Sequence, residues 1–224
     1  GVQAGLAGFL TWALGRELDP DHDRSAFVAF ALAVSGLFVW GLPRFSVLLW
    51  LIVVVRMVNR TSGLSAGILD SLGVLGLGIW LSLGGNWGYS FITTLAFLVD
   101  SQLPVRVLRQ LAFAVLGAAG TVTTAVMSDG LVQDGAQLWT GLVTLGGSAF
   151  FVPVLLESQS VSSVGDRTGK PLKPVRVRAA QALALLAGVE TAFVGGAAAL
   201  GWLMPLWAAV LGAAFWWVYR FLTS

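Results

Sequence analysis

Phe45-Ser46-Val47-Leu48-Leu49-Trp50-Leu51-Ile52-Val53-Val54-Val55-Arg56-Met57-Val58-Asn59-Arg60 is the stretch on which the fold turns. From Val47 to Val55 nothing is charged, and apolar residues do not alternate with polar ones as they do on a half-buried strand. The run then ends abruptly at Arg56, Asn59 and Arg60. In hydrocarbon a helix satisfies its own backbone hydrogen bonds, so the expected unit is an apolar helix running into a charged turn.

The same unit recurs outward in both directions. Apolar runs predict helices at about 2–15, 25–41, 45–58, 64–83, 88–101, 105–127, 136–156, 177–200 and 204–222. The composition agrees: 57% of the 224 residues are hydrophobic and 11% are charged, whereas a soluble domain carries about a quarter of its residues as charges. The expected fold class is an all-α integral membrane protein, a bundle of about nine transmembrane helices arranged as repeated helical hairpins. It forms a single transmembrane domain over 1–224 with a basic cytoplasmic loop at about 157–178. Gly1 opens directly on apolar sequence without the basic start of a signal peptide, so native residues are expected before it.

The breaks between helices are of two kinds, and they alternate. Arg16–Arg24, Arg56–Ser62, Asp100–Arg109 and Glu157–Arg178 are charged; 41–44, 84–87, 128–135 and 201–205 are nearly not. Of the 13 Lys and Arg, only Arg44 falls in the second set. Because Lys and Arg of short loops mark the cytoplasmic face, the charged turns are expected inside, with Gly1 outside and Ser224 cytoplasmic, in a bacterial-type inner membrane. Trp40, Trp80, Trp87, Tyr89, Trp139 and Trp202 then fall near the outer ends as an interfacial belt. Among the 28 glycines, Gly73, Gly76, Gly78, Gly195 and Gly196 read as close helix contacts, the alternative being kinks.

Two short matches suggest hairpin repetition. Arg16-Glu17-Leu18-Asp19 and Arg56-Met57-Val58-Asn59 share Arg-x-x-Asp/Asn; Asp100-Ser101-Gln102 and Glu157-Ser158-Gln159 share acid-Ser-Gln.

Five features could carry chemistry. Asp19, Asp21 and Asp23 alternate along one turn and could hold a hard cation, with Mg²⁺ as the cofactor such a set admits; a solvated helix-capping turn is the alternative. Arg56, Asn59 and Arg60, with Asp70 in the next helix, could bind a ligand or simply pair with one another. Asp100 with Arg106 and Arg109 could hold an anion such as phosphate, or contact anionic lipid headgroups. The basic loop from Glu157 to Arg178 could attract anionic lipid, close over a site, or dock a partner. Glu190, isolated in the eighth helix, could relay protons or coordinate a coupling ion, or be a hydrogen-bonded neutral acid.

Asn59-Arg60-Thr61-Ser62-Gly63 and Leu103-Pro104-Val105-Arg106 resemble inner turns of the intramembrane prenyltransferases, and Asp19 and Asp23 have the Asp-x-x-x-Asp spacing of that family. The resemblance implies a lipid diphosphate held through Mg²⁺ at cytoplasmic helix ends. The second such pair is missing, because Pro104 stands four residues after Asp100.

There is no Cys and a single His, His22. Cysteine nucleophiles and thiolate metal sites are excluded. There is no GxSxG, no HExxH and no phosphate-binding P-loop, and nothing points to nucleic acid. Three functions remain: a cytoplasmic-face site for an anionic, lipid-linked phosphate ligand; a non-catalytic subunit docking partner membrane subunits; or an ion-coupled transporter of a small solute using Glu190. Membrane lipids, anionic ones included, are the common expected partners.

Overall fold

The computed structural model describes residues 1–128 and 138–223. Among these the chain is all-helical, with nine helices: α1 (Val2–Leu18), α2 (Asp23–Trp40), α3 (Phe45–Asn59), α4 (Ile68–Ser82), α5 (Gly88–Gln102), α6 (Arg109–Met127), α7 (Leu138–Glu157), α8 (Pro174–Trp202) and α9 (Met204–Thr223). The expected start of the seventh helix at 136, and the break at 128–135 beyond Ser128, lie outside the described residues.

Five helices, α2, α6, α7, α8 and α9, are long and apolar enough to cross a membrane. The others are shorter. α3, α4 and α5 have 15 residues each, roughly 22 Å at 1.5 Å per residue, against a hydrocarbon core of about 30 Å. Length and composition therefore support a multi-pass helical membrane protein without fixing nine crossings.

α3 lies deepest. Val47, Leu48, Trp50, Leu51, Val54, Val55 and Val58 are completely buried, as expected of a helix that is apolar all round. Trp50 packs edge-on against Tyr89 of α5 at 5.1 Å between ring centres and donates its indole N–H to Thr93 Oγ1 at 2.9 Å. Tyr89, expected in the interfacial belt, is buried because Trp50 takes its face; Trp40, Trp80 and Trp139 are exposed. Apolar side chains also cover the outside of the bundle, among them Phe27, Phe38, Leu69, Val115, Val126, Phe150 and Leu222.

The glycines divide. A Cβ at Gly78 would run into Thr93, so α4 and α5 touch there. One at Gly73 or Gly76 would meet nothing within 4 Å. These two are not contact points. Gly196 is a kink, since its φ of 60° and ψ of −151° interrupt α8.

Candidate functional site

The helix ends explain how the four charged turns come together. α1, α3, α5 and α7 all end at these turns, and the last turn of a helix leaves carbonyls without an intrahelical partner and with partial negative charge. α8 starts at the same end and supplies the donors. Arg176 donates from Nη1 to the Val58 carbonyl of α3 at 3.0 Å and to Asp100 Oδ1 of α5 at 2.6 Å. Its other N–H groups reach the carbonyls of Asp100, Leu103 and Pro104. One turn further along α8, Gln181 donates to the Leu18 carbonyl of α1 at 2.7 Å and to Ser158 Oγ, just past α7, at 2.8 Å. Two side chains of one helix thus fasten the ends of four others.

Asp100 is fully buried. Besides Arg176 it accepts from Arg60, whose Nε and Nη2 lie 3.1 Å from its two oxygens. Arg60 caps α3 in the left-handed conformation, φ 57°, and its Nη1 donates to the carbonyl of Val105 at 2.9 Å. Val105 also has a positive φ, 64°. Left-handed backbone costs on the order of 1–2 kcal/mol in a residue other than glycine, and persists where surrounding contacts over-determine it. Glu17 completes the layer: its carboxylate accepts from Thr61 Oγ1 at 2.8 Å, its carbonyl accepts from Asn59 Nδ2 at 2.8 Å, and Arg56 stands 3.7 Å away.

The three aspartates of the first turn go to three different partners. Asp19 accepts from His22 Nδ1 at 2.8 Å. Asp21 accepts from the backbone N–H of Ser162 and Ser163, at 2.9 and 2.8 Å, fastening the long loop. Asp23 pairs with Arg16. Burial pushes the Asp21 carboxyl up, but the hydrogen bonds from Ser163 and Ser162 outweigh it and hold its pKa below the ordinary value. The hydrogen bond to Asp19 raises the pKa of His22 above its ordinary value despite partial burial. Among the described residues, no three of the His, Asp and Glu side chains are grouped to hold a metal ion.

The long loop is stitched back onto the α3–α4 turn. Asp166 and Arg167 donate their N–H groups to the carbonyls of Thr61 and Ser62 at 2.9 and 3.2 Å. Gly63, with φ 80°, packs against Thr168 and Gly165 with no room for a Cβ. This docking brings Arg167 to the mouth of a cleft of about 600 Å³ between α3 and α4. Its lining is apolar along Leu49, Val53, Val74 and Leu77, and polar at the end nearer the charged turns, where Arg56, Arg167, Ser62, Ser65 and Asp70 stand. Gly73 faces the open cleft, which is why it has no packing neighbour.

The sequence candidates therefore separate. Arg56 and Asp70 line the cleft, and Arg109 donates to the carbonyl of Ala66 on its rim. Asn59, Arg60 and Asp100 form the buried layer behind it. Arg106 is exposed and reaches the Gln102 carbonyl at 3.3 Å. Asp70 sits in the first turn of α4 and not six residues into the helix: α4 starts at Ile68, later than its apolar pattern suggested, and Asp70 accepts the N–H of Gly67 at 2.8 Å as a cap. Glu190 lies at the opposite end, against the first turn of α5. The repeat partners differ in surroundings, since Asp100 is buried between two arginines while Glu157 is exposed and pairs with Arg220. Glu17 and Gln181 were not picked out as site residues from sequence, their only signal being a polar side chain near the end of an apolar run; Arg167 and Arg176 were marked only as members of the basic loop at 157–178.

Comparison with protein-family models, curated proteins and solved structures finds no match to the chain.

Proposed function

We propose that the protein is a nine-crossing inner-membrane bundle whose α3–α4 cleft receives an anionic amphiphile, a lipid-linked phosphate, from the cytoplasmic face. The observation that carries this reading is the cleft's two-part lining: apolar walls from two helices, and at one end two arginines and two serines, with the single carboxylate of Asp70 held to the Gly67 N–H. Arg56 and Arg167 would take the phosphate through charge-assisted hydrogen bonds, Leu49, Val53 and Leu77 the chain. Arg60, Asp100 and Arg176 would shape the cleft from behind without touching the ligand. Mg²⁺ is left out of this reading because Asp19, Asp21 and Asp23 have separate partners.

The threading rests on the alternation of charged and uncharged breaks. Arg44 lies over the Trp202 ring at 4.5 Å, so the second and eighth breaks share one end, and the four charged turns contact one another at the other. The chain has no Cys, so Arg44→Cys and Lys170→Cys give clean single labels; they should react from opposite sides of sealed vesicles.

The binding test uses the purified protein in nanodiscs and a polyprenyl monophosphate, read by native mass spectrometry. Arg56→Ala and Arg167→Ala should each weaken binding by roughly tenfold or more, the equivalent of a lost hydrogen bond to a charged group. Gly73→Leu should block the cleft without removing a charge. Equal binding by wild type and all three variants would overturn the reading.

A further inference from the structure

The end opposite the charged turns carries buried polar groups that have no partner. Tyr89 and Asn86 are 2% and 7% exposed. The Tyr89 hydroxyl, Asn86 Nδ2 and Glu190 Oε1 are each buried and make no hydrogen bond of good geometry, although the Asn86 amide lies close to both of the others. All three belong to one place. A Cβ added at Gly88 would fall on the Glu190 carboxylate, so that carboxylate rests on the first turn of α5, and the Asn86 side chain approaches both Glu190 and Tyr89. Thr191 Oγ1 contacts the other Glu190 oxygen at 3.4 Å.

Leaving several buried polar atoms unpaired costs roughly 1–3 kcal/mol each, and native structures explain such groups by a bound water or ion. The charge balance narrows the occupant. Among the described residues no Lys, Arg or His pairs with Glu190; Arg44, the basic group that acts on Tyr89, is turned onto Trp202. One carboxylate calls for one positive charge. Glu190, the Tyr89 hydroxyl, the Thr191 hydroxyl and Asn86 Oδ1 offer oxygen, the donor type of hard cations. Asn86 Nδ2 can only donate, and it suits a water held by the cation, not the cation itself. Asn86 Oδ1 is positioned by the Gly88 N–H at 2.8 Å.

We propose that Glu190, Tyr89, Thr191 and Asn86 form a binding site for one partly hydrated alkali-metal cation at the end of the bundle remote from the charged turns. The site is separate from the amphiphile cleft, and either can stand without the other. A divalent ion fits less well, because one carboxylate leaves it half neutralised. Gly88 is the residue that admits the carboxylate.

The test is thermal unfolding of the full chain in detergent, in lithium, sodium, potassium and choline chloride at equal ionic strength. One alkali salt should raise the midpoint over choline by roughly 2–4 °C. Glu190→Gln should abolish the rise, and Gly88→Ala, which displaces the carboxylate and removes no oxygen, should diminish it. If Glu190→Gln does not fold, Tyr89→Phe decides: the salt concentration giving half the rise should increase several-fold. Identical midpoints for the wild type in all four salts would overturn the proposal. So would a rise that survives Glu190→Gln and Gly88→Ala, or an unchanged salt midpoint in Tyr89→Phe.

Discussion

The two ends of the bundle differ in how buried charge is met: Asp100 has two arginines against it, Glu190 none among the described residues. At the charged turns, Asp100, Arg60, Arg176, Glu17, Asn59 and Gln181 are buried, and each meets a partner drawn from another turn, although Asn59 Oδ1 and Gln181 Oε1 stay unpaired. At the other end, Glu190, Tyr89 and Asn86 retain unsatisfied atoms. The first arrangement is a clamp, in which removing one member strands the rest. The second tolerates loss of a member better, because its polar side chains make few bonds to one another.

The sharpest way to break this comparison is Asp100→Ala. It leaves two guanidinium groups buried without their carboxylate, and breaking a buried pair costs about 3–5 kcal/mol. The expected outcome is loss of monodisperse protein or a thermal midpoint lowered by roughly 10 °C or more. Arg176→Met should follow closely, through the uncapped carbonyls of α3 and α5. Gly63→Ala comes next: its φ of 80° and its contact with Thr168 leave no room for a methyl, and about 1–3 kcal/mol is expected. Limited proteolysis should then cut within 159–173 faster while the helices stay intact.

The smaller effects sharpen the picture. His22 has a folded pKa above its ordinary 6.5. Its stabilisation is therefore fully present below about pH 6.5 and is lost as pH rises through the folded value. His22→Gln should flatten the pH dependence of the midpoint over that interval. Asp21 runs the other way: its tether holds above about pH 3.8 and weakens as pH falls through the depressed folded value. Smallest of all, Tyr89→Phe in choline chloride should change stability by no more than about 0.5 kcal/mol, since the deleted hydroxyl makes no hydrogen bond of good geometry. A large loss there would erase the distinction between the two ends.

The helices and the pooling of charged turns were legible in the sequence, because apolar runs and the positions of Lys and Arg are local signals. Helix starts were less so. The apolar pattern at 64–67 continues upstream of α4, but the backbone there is spent on the turn that Gly63 and Asp70 shape. The site was legible only in part. Arg56 was marked by its abrupt place after Val55, whereas Arg176 resembled the rest of a polybasic loop, and its partners lie 72 to 118 positions away. Alternating aspartates suggested a shared ion, yet in a turn successive side chains diverge, and Asp19, Asp21 and Asp23 each found a nearer partner.

The position of Arg176 in the chain has a consequence for biosynthesis. Asp100 leaves the ribosome 76 residues before the arginine that completes its shell, an interval of roughly 4–15 s at common elongation rates of about 5–20 residues per second. Until then the nascent helices before α8, seven by the end, hold an acid neutralised from one side only and carbonyls with nothing to receive. The emergence of α8 is the event that closes this shell.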